Sequence, residues 1–233
     1  MTTVPDPHDG TSVTPARGQA LLALVAVMDR LRSPGGCPWD AAQTHESLVT
    51  YLLEETYETI EAIETDDRVA LREELGDLLL QVVFHAEIAA ETGRFDIEDV
   101  ARRISDKLVA RHPYVFTDAE VPTDLVGSWE RAKAVEKSRD SALDGIPERL
   151  SALTRAHKVL VRARSHGLEP AALDVIGTDV PAGTLGVEFL RLVARAEELG
   201  LDPEQEARSA LRVLEERVRV AESLPATNPN SPG

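Results

Sequence analysis

A single cysteine in 233 residues, Cys37, denies this sequence both an internal disulfide framework and any multi-cysteine zinc site. Basic residues are scarce: 25 Lys and Arg stand against 41 Asp and Glu, a formal net charge of −16. Such a chain repels nucleic acid and anionic membrane, and a phosphate-bearing ligand would need a cation to mediate its binding. The longest early apolar run, Ala20 to Met28, is interrupted by Asp29. It is too short to span a bilayer, and no small-residue cleavage site follows. The expectation is a cytoplasmic protein with neither a membrane nor a nucleic acid as partner. Alternating apolar runs of period two are missing, and so are GxxxxGK[ST], GxGxxG and HExxH. No Ser/His/Asp or Cys/His arrangement stands out, and Cys37, between Gly36 and Pro38, reads as structural.

What is present is helix. The hydrophobic share of 42% with 28% charged residues is that of a globular chain, and the fold class is all-α. Residues 1–17 and 223–233 carry no apolar period and read as disordered tails. Leu21, Leu22, Leu24, Val25, Met28 and Leu31 mark a first helix that Ser33-Pro34-Gly35-Gly36 ends. A second helix follows Thr44-His45 and runs to about Glu64, and a third spans about Val69 to Glu91. Asp96 has the place of an N-cap for a fourth, which ends at His112-Pro113. A loop over Tyr114 to Thr123 leads to a helix from Asp124 to Arg139, and two or three more helices follow Ile146-Pro147. Of nine aromatic residues, eight lie between Trp39 and Trp129, so a site that needs stacking planes belongs to the first half.

The second helix carries Glu54, Glu55 and Glu58 within a 100° arc, opposite Val49, Leu52, Ile60 and Ile63. Alone, this is the pattern of a surface helix with a solvated acidic face. The third helix alters that reading. Apolar residues surround its axis on nearly every side, and Glu74, Asp77 and Gln81 form one narrow polar stripe. The pattern predicts a mostly buried helix, in which carboxylates are costly unless paired or protonated. Between Glu54 and Asp77 there are ten acids and only Arg68 and Arg72 as bases, a local net charge of −8. In an antiparallel hairpin, residues equidistant from the turn lie level. Glu58 with Glu74, and Glu55 with Asp77, are each centred on Asp66 in the expected turn. Four converging carboxylates suit a hard divalent cation, Mg²⁺ or Mn²⁺. A di-iron carboxylate bundle is disfavoured, because no histidine has a Glu three residues before it.

A divalent ion on acidic helices has a polyphosphate as its natural partner, and that partner needs positive charge on the rim. Lys107 and Arg111, at i and i+4, could supply it, or could simply form a solvated basic face. Trp129, four residues before Lys133, could offer a base a stacking surface or could pack in a core.

Gly36-Cys37-Pro38-Trp39-Asp40, Gln43-Thr44-His45, Glu54-Glu55-x-x-Glu58, Glu74-Leu75-Gly76-Asp77 and Arg111-His112-Pro113-Tyr114-Val115-Phe116 resemble, in that order, the MazG nucleoside triphosphate pyrophosphohydrolases. Ser141-Ala142-Leu143-Asp144-Gly145-Ile146-Pro147 is similar to that family's interdomain segment, and the likeness covers roughly residues 18–222. The resemblance implies an all-α, Mg²⁺-dependent dimer that cleaves a nucleoside triphosphate between its α- and β-phosphates. It implies Glu55, Glu58, Glu74 and Asp77 as metal ligands, with Glu54 to orient or deprotonate the attacking water. Lys107, Arg111, Trp129 and Lys133 would meet the nucleotide.

Similar proteins often have two such domains, and here the second departs from the pattern. Thr184 to Glu197 lines up with Glu74 to Glu87, keeping Leu185-Gly186 but replacing Glu74 by Thr184 and Asp77 by Val187. No EExxE precedes it. The expected organisation is a catalytic domain over 18–140 and a degenerate, non-catalytic repeat over 141–222. A regulatory or scaffold protein of the same fold is the alternative, which would predict disrupted acids in the first half. Those acids are intact.

Overall fold

A computed structural model describes residues 18–125, 128, 141–168 and 185–223. Trp129, Lys133 and most of the helix expected over Asp124–Arg139 lie outside that set, as do both expected tails. Among the described residues every regular element is a helix. The chain divides into two compact units between Thr123 and Asp124.

In the first unit, α1 (Gln19–Arg32) ends where the Ser33 N–H donates to the Asp29 carbonyl. The chain then doubles back across that end. Gly36 lies so close to the carbonyls of Leu31 and Arg30 that no β-carbon could be added there. A short helix that the apolar pattern did not reveal, α2 (Pro38–Ala42), follows, with proline at its first position where no N–H is needed. Leu48, 1% exposed, opens α3 (Val49–Glu64). The turn into α4 (Arg68–Glu91) needs a positive φ of 53° at Asp66, which Asp tolerates better than most residues. Asp67 then caps α4, accepting from the Val69 and Ala70 N–H groups at 3.0 Å. Asp96 and Asp99 form a reciprocal capping box at the start of α5 (Ile97–Arg111). Within the stretch expected to be loop, Pro113–Phe116 makes one helical turn, α6.

Hairpin α3/α4 is the most extensive helix pairing in the unit, and α1 and α5 also lie against α4. Met28, Leu48, Val83 and Phe84 form the core, with Leu24, Val25, Leu80, Ile88 and Ile97 around it. Burial there amounts to roughly 1.5–3 kcal/mol for each large apolar side chain. Beside it, the Arg32 side chain is 4% exposed and holds both carboxylate oxygens of Glu91, at 2.6 and 2.8 Å. The same guanidinium donates to the carbonyls of Asp40 and Gln43 and lies over the Phe84 ring.

Two features of the hairpin bear on the sequence reading. Helix α4 is not buried all round: Gln81, Val83, Phe84, Ala86 and Ala89 face inward, while Leu75, Leu79 and Val82 are exposed. From Val83 to Ala89 no residue of α4 is exposed, whereas before Val83 one side of the helix is left uncovered by its own unit. Helix α3 is turned the other way from a surface helix with a solvated acidic face. Thr59 and Ala62 are its buried positions, and Glu55 shares their stripe, whereas Val49, Leu52 and Ile63 are exposed.

In the second unit, α7 (Ala152–Ser165), α8 (Leu185–Glu198) and α9 (Pro203–Ser223) contact one another. Val187 and Val193 are its buried side chains on α8. Arg164 reaches Glu197 across α7 and α8, and Ser151, the cap of α7, bonds to Glu204 of α9. Helix α8 ends, like α4 and α7, in a left-handed glycine turn. Leu201 N–H donates to Ala196 O, as Arg94 N–H does to Ala89 O, with Gly200 at φ 70° and Gly93 at φ 64°.

Candidate functional site

The hairpin brings the acids together. One oxygen from each of Glu55, Glu58 and Glu74 can be chosen so that all three lie within 4.8 Å of one another. Asp77, the fourth expected ligand, lies outside that 4.8 Å group, although its charge acts on both Glu55 and Glu74. Antiparallel pairing about Asp66 gathers the acids, aided by the inward rotation of α3 that sets Glu55 in line with Thr59. The Thr59 hydroxyl donates to the Glu55 carbonyl at 2.7 Å, so it is not spent on the carboxylates.

Burial raises the pKa of Glu55, and Asp77, Glu58, Glu74 and Glu54 add to that rise. Glu74 is raised first by burial, then by Glu58, Asp77 and Glu73 and by a hydrogen bond to Glu58. Among the described residues, every charge acting on these two carboxyls is an acid. An all-oxygen, multiply anionic donor set without a protein cation fits a hard divalent ion and does not suit zinc.

Glu54 is exposed beside Glu55 on α3. Lys107 and Arg111 sit half-buried on α5, which packs on α4, but neither is among the charges acting on Glu55 or Glu74. Trp129 and Lys133 are outside the described residues. The aromatic pair near the acids is a different one. Trp39 of α2 meets Tyr51 of α3 edge-on with ring centroids 5.9 Å apart, and Tyr51 precedes Glu55 by one helical turn.

Two further polar features lie close by, the first of them on the polar stripe read from the sequence and the second not. Gln81, one turn beyond Asp77, is 4% exposed, and its Oε1 has no partner among the described residues. His45 and His85 meet edge to edge with their Nδ1 atoms 2.8 Å apart. They stand 21 and 19 residues from Asp66, and His45 precedes α3, so the level pairing that picks out the carboxylates does not single them out.

Residues 43–116 match the model of the MazG nucleotide pyrophosphohydrolase domain. An uncharacterized 26.1 kDa protein in the blaB 3′ region of Streptomyces cacaoi is 46% identical over 210 residues, covering 88% of this chain and 84% of that protein. The nucleoside triphosphate pyrophosphohydrolase/pyrophosphatase MazG of Thermotoga maritima is 40% identical over 218 residues, covering 86% and 85%. The nucleoside triphosphate pyrophosphohydrolase of Escherichia coli K12 is 49% identical over 152 residues, but this chain spans only 58% of its length. No helix among the described residues is long and apolar enough to cross a membrane. The matched segment contains all four carboxylates of the hairpin, and likeness of this extent over most of the Thermotoga protein places the chain in the MazG family.

Proposed function

We propose that this protein hydrolyses nucleoside triphosphates to the nucleoside monophosphate and pyrophosphate, with a divalent cation held by Glu55, Glu58, Glu74 and Asp77. The observation that carries this reading is the convergence of Glu55, Glu58 and Glu74 at the hairpin, uncompensated by any basic group acting on Glu55 or Glu74 among the described residues. When bound, Mg²⁺ or Mn²⁺ would screen phosphate charge and lower the pKa of its water, the two effects that phosphoanhydride hydrolysis needs. The protein's part is to hold four oxygen donors in place without a competing lysine or arginine. Glu54, exposed at the edge of the cluster, orients the attacking water or takes its proton. Lys107, Arg111, Trp129 and Lys133 bind the nucleotide.

Two coarser proposals accompany this one. The protein acts as a homodimer or higher oligomer, a reading supported by the exposed apolar residues Val49, Leu52, Leu53, Leu75, Leu79 and Val82 on α3 and α4. Residues 141–222 form a degenerate repeat without a site of its own, a reading supported by Val187, which lines up with Asp77 and is buried as an apolar side chain.

The test is pyrophosphate release from a panel of standard and oxidised nucleoside triphosphates, with Mg²⁺ and with chelator. Metal-dependent release in at least one case is expected. Orthophosphate as the product, or release that survives chelation, would overturn the reading. The panel also decides whether damaged nucleotides are the preferred substrates.

A further inference from the structure

We propose that His45 and His85 are positioning residues. Their hydrogen-bonded pair fastens the segment that enters α3 onto α4 and so fixes the rotation of α3 that sets Glu55 opposite Asp77. The inference rests on the proposed metal-binding role of those carboxylates. It begins from geometry: the rings meet edge to edge, 16° from parallel with centroids 5.1 Å apart, and the Nδ1 atoms are 2.8 Å apart. At that separation one nitrogen donates and the other accepts.

The position of the pair gives the contact its leverage. Three attachments hold the chain between α2 and α3. Arg32 donates to the carbonyls of Asp40 and Gln43, the His45 ring meets His85, and Leu48 is buried in the core at the first turn of α3. Of these, the histidine pair joins the segment directly to a side chain of α4, the helix that carries Glu74 and Asp77. A slip at the entry to α3 would turn the stripe Glu55–Thr59–Ala62 away from α4, and Glu55 would leave the cluster.

The pair also has a proton signature that a purely apolar contact lacks. A first added proton can rest on a distal Nε2 and leave the Nδ1 bond intact. A second must take the accepting Nδ1 lone pair, which leaves two donors and two positive charges against each other. Burial and then the charge of His45 hold the pKa of His85 below its ordinary value. The neighbouring segment residue Glu46 faces His45 and Arg94, the latter in the turn after α4. On α1 and α4, Arg32 is engaged with Glu91, and Glu87 senses Asp29, Glu91 and Arg32. No carboxylate of α3 or α5 is among the described groups acting on His85.

The test uses the full chain, with Mn²⁺ alone as the probe. Proton NMR of the ring Cε1–H groups should show a coupled titration whose second step falls below the ordinary histidine range. His45→Ala and His85→Ala should each weaken Mn²⁺ about five- to tenfold, the loss of one hydrogen bond's positioning, and speed amide exchange over residues 44–52 by a similar factor. The double variant His45→Asn/His85→Asn, whose amides place hydrogen-bonding atoms where the Nδ1 atoms were, should restore both at pH 7.5. It should also lack the extra weakening that the wild type shows on acidification. Independent, ordinary titration of the two rings would overturn the proposal. So would wild-type Mn²⁺ affinity in both alanine variants, or acid sensitivity unchanged in the Asn/Asn protein. If the wild type itself binds no Mn²⁺, the metal assignment fails instead, and the NMR and exchange results still judge the latch.

Discussion

The turn at Gly93 and the turn at Gly200 are made by the same backbone hydrogen bonds, yet the helices that enter them differ in what they carry. Helix α4 holds Glu74 and Asp77, two anions beside the anions of α3. Helix α8 buries Val187 at 3% exposure and Val193 at 0%. A helix–turn–helix frame is thus indifferent to whether its inner face is charged or apolar, provided the charge is met by an ion or the apolar surface by a neighbour. The first solution sacrifices stability of the metal-free protein for a binding site, and the second gives packing alone.

The largest effect expected is on turnover. Glu58→Gln or Asp77→Asn should leave less than about a tenth of wild-type pyrophosphate release at saturating Mg²⁺, while circular dichroism stays helical. Activity above that level in either variant would remove it from the ligand set.

Exchanging the two solutions should hurt in only one direction. Val187→Asp places an unpaired carboxylate in a buried position and should cost about 3–5 kcal/mol by denaturant titration, with no gain of metal binding. Asp77→Val should keep the fold and lose the metal. Tolerance of Asp at position 187 would mean that the second unit still has room for ion chemistry.

A smaller effect is expected at the proposed phosphate contacts. Lys107→Ala or Arg111→Ala should raise KM for the triphosphate about tenfold, with Mn²⁺ affinity unchanged, as loss of one charge-assisted hydrogen bond predicts. If both variants keep wild-type kcat/KM, the two residues form a solvated face.

The smallest effect concerns the metal-free protein. Because the folded-state pKa values of Glu55 and Glu74 are raised, the folded state binds protons there more readily than the unfolded chain does. Their contribution is therefore full below about pH 4.5 and is lost as pH rises through the raised values. Glu55→Gln should then raise Tm in chelator by a few degrees at pH 8 and by less at pH 5. Equal shifts at both pH values would show that the carboxyl is not under like-charge stress.

Much of this was legible in the sequence because it depends on local rules. Asp96 as a cap and the level pairs about Asp66 follow from backbone hydrogen bonding and helix pitch. What stayed hidden depends on tertiary rotation. The apolar arc of Val49, Leu52 and Ile63 could have faced inward, and hydrophobicity argued that it should. That the acid-bearing side instead lies toward α4 is set by contacts far apart in sequence, Leu48 with the core among them. The His45–His85 contact likewise joins residues 40 positions apart. The short helix Pro38–Ala42 has too few residues to show a period.

The crossing at Gly36 bears on how mutational scans of this protein should be read. Because the obstacle to a β-carbon there is the backbone of Leu31 and Arg30, no rotamer change can relieve it. Every substitution at that position should force α1 and α2 apart, shifting the Asp40 and Gln43 carbonyls away from Arg32. Activity would then fall at a residue that has no side chain to offer the reaction. Intolerance at Gly36 in a scan would therefore report the thickness of a backbone, and ranking it with Glu58 or Asp77 would confuse clearance with chemistry.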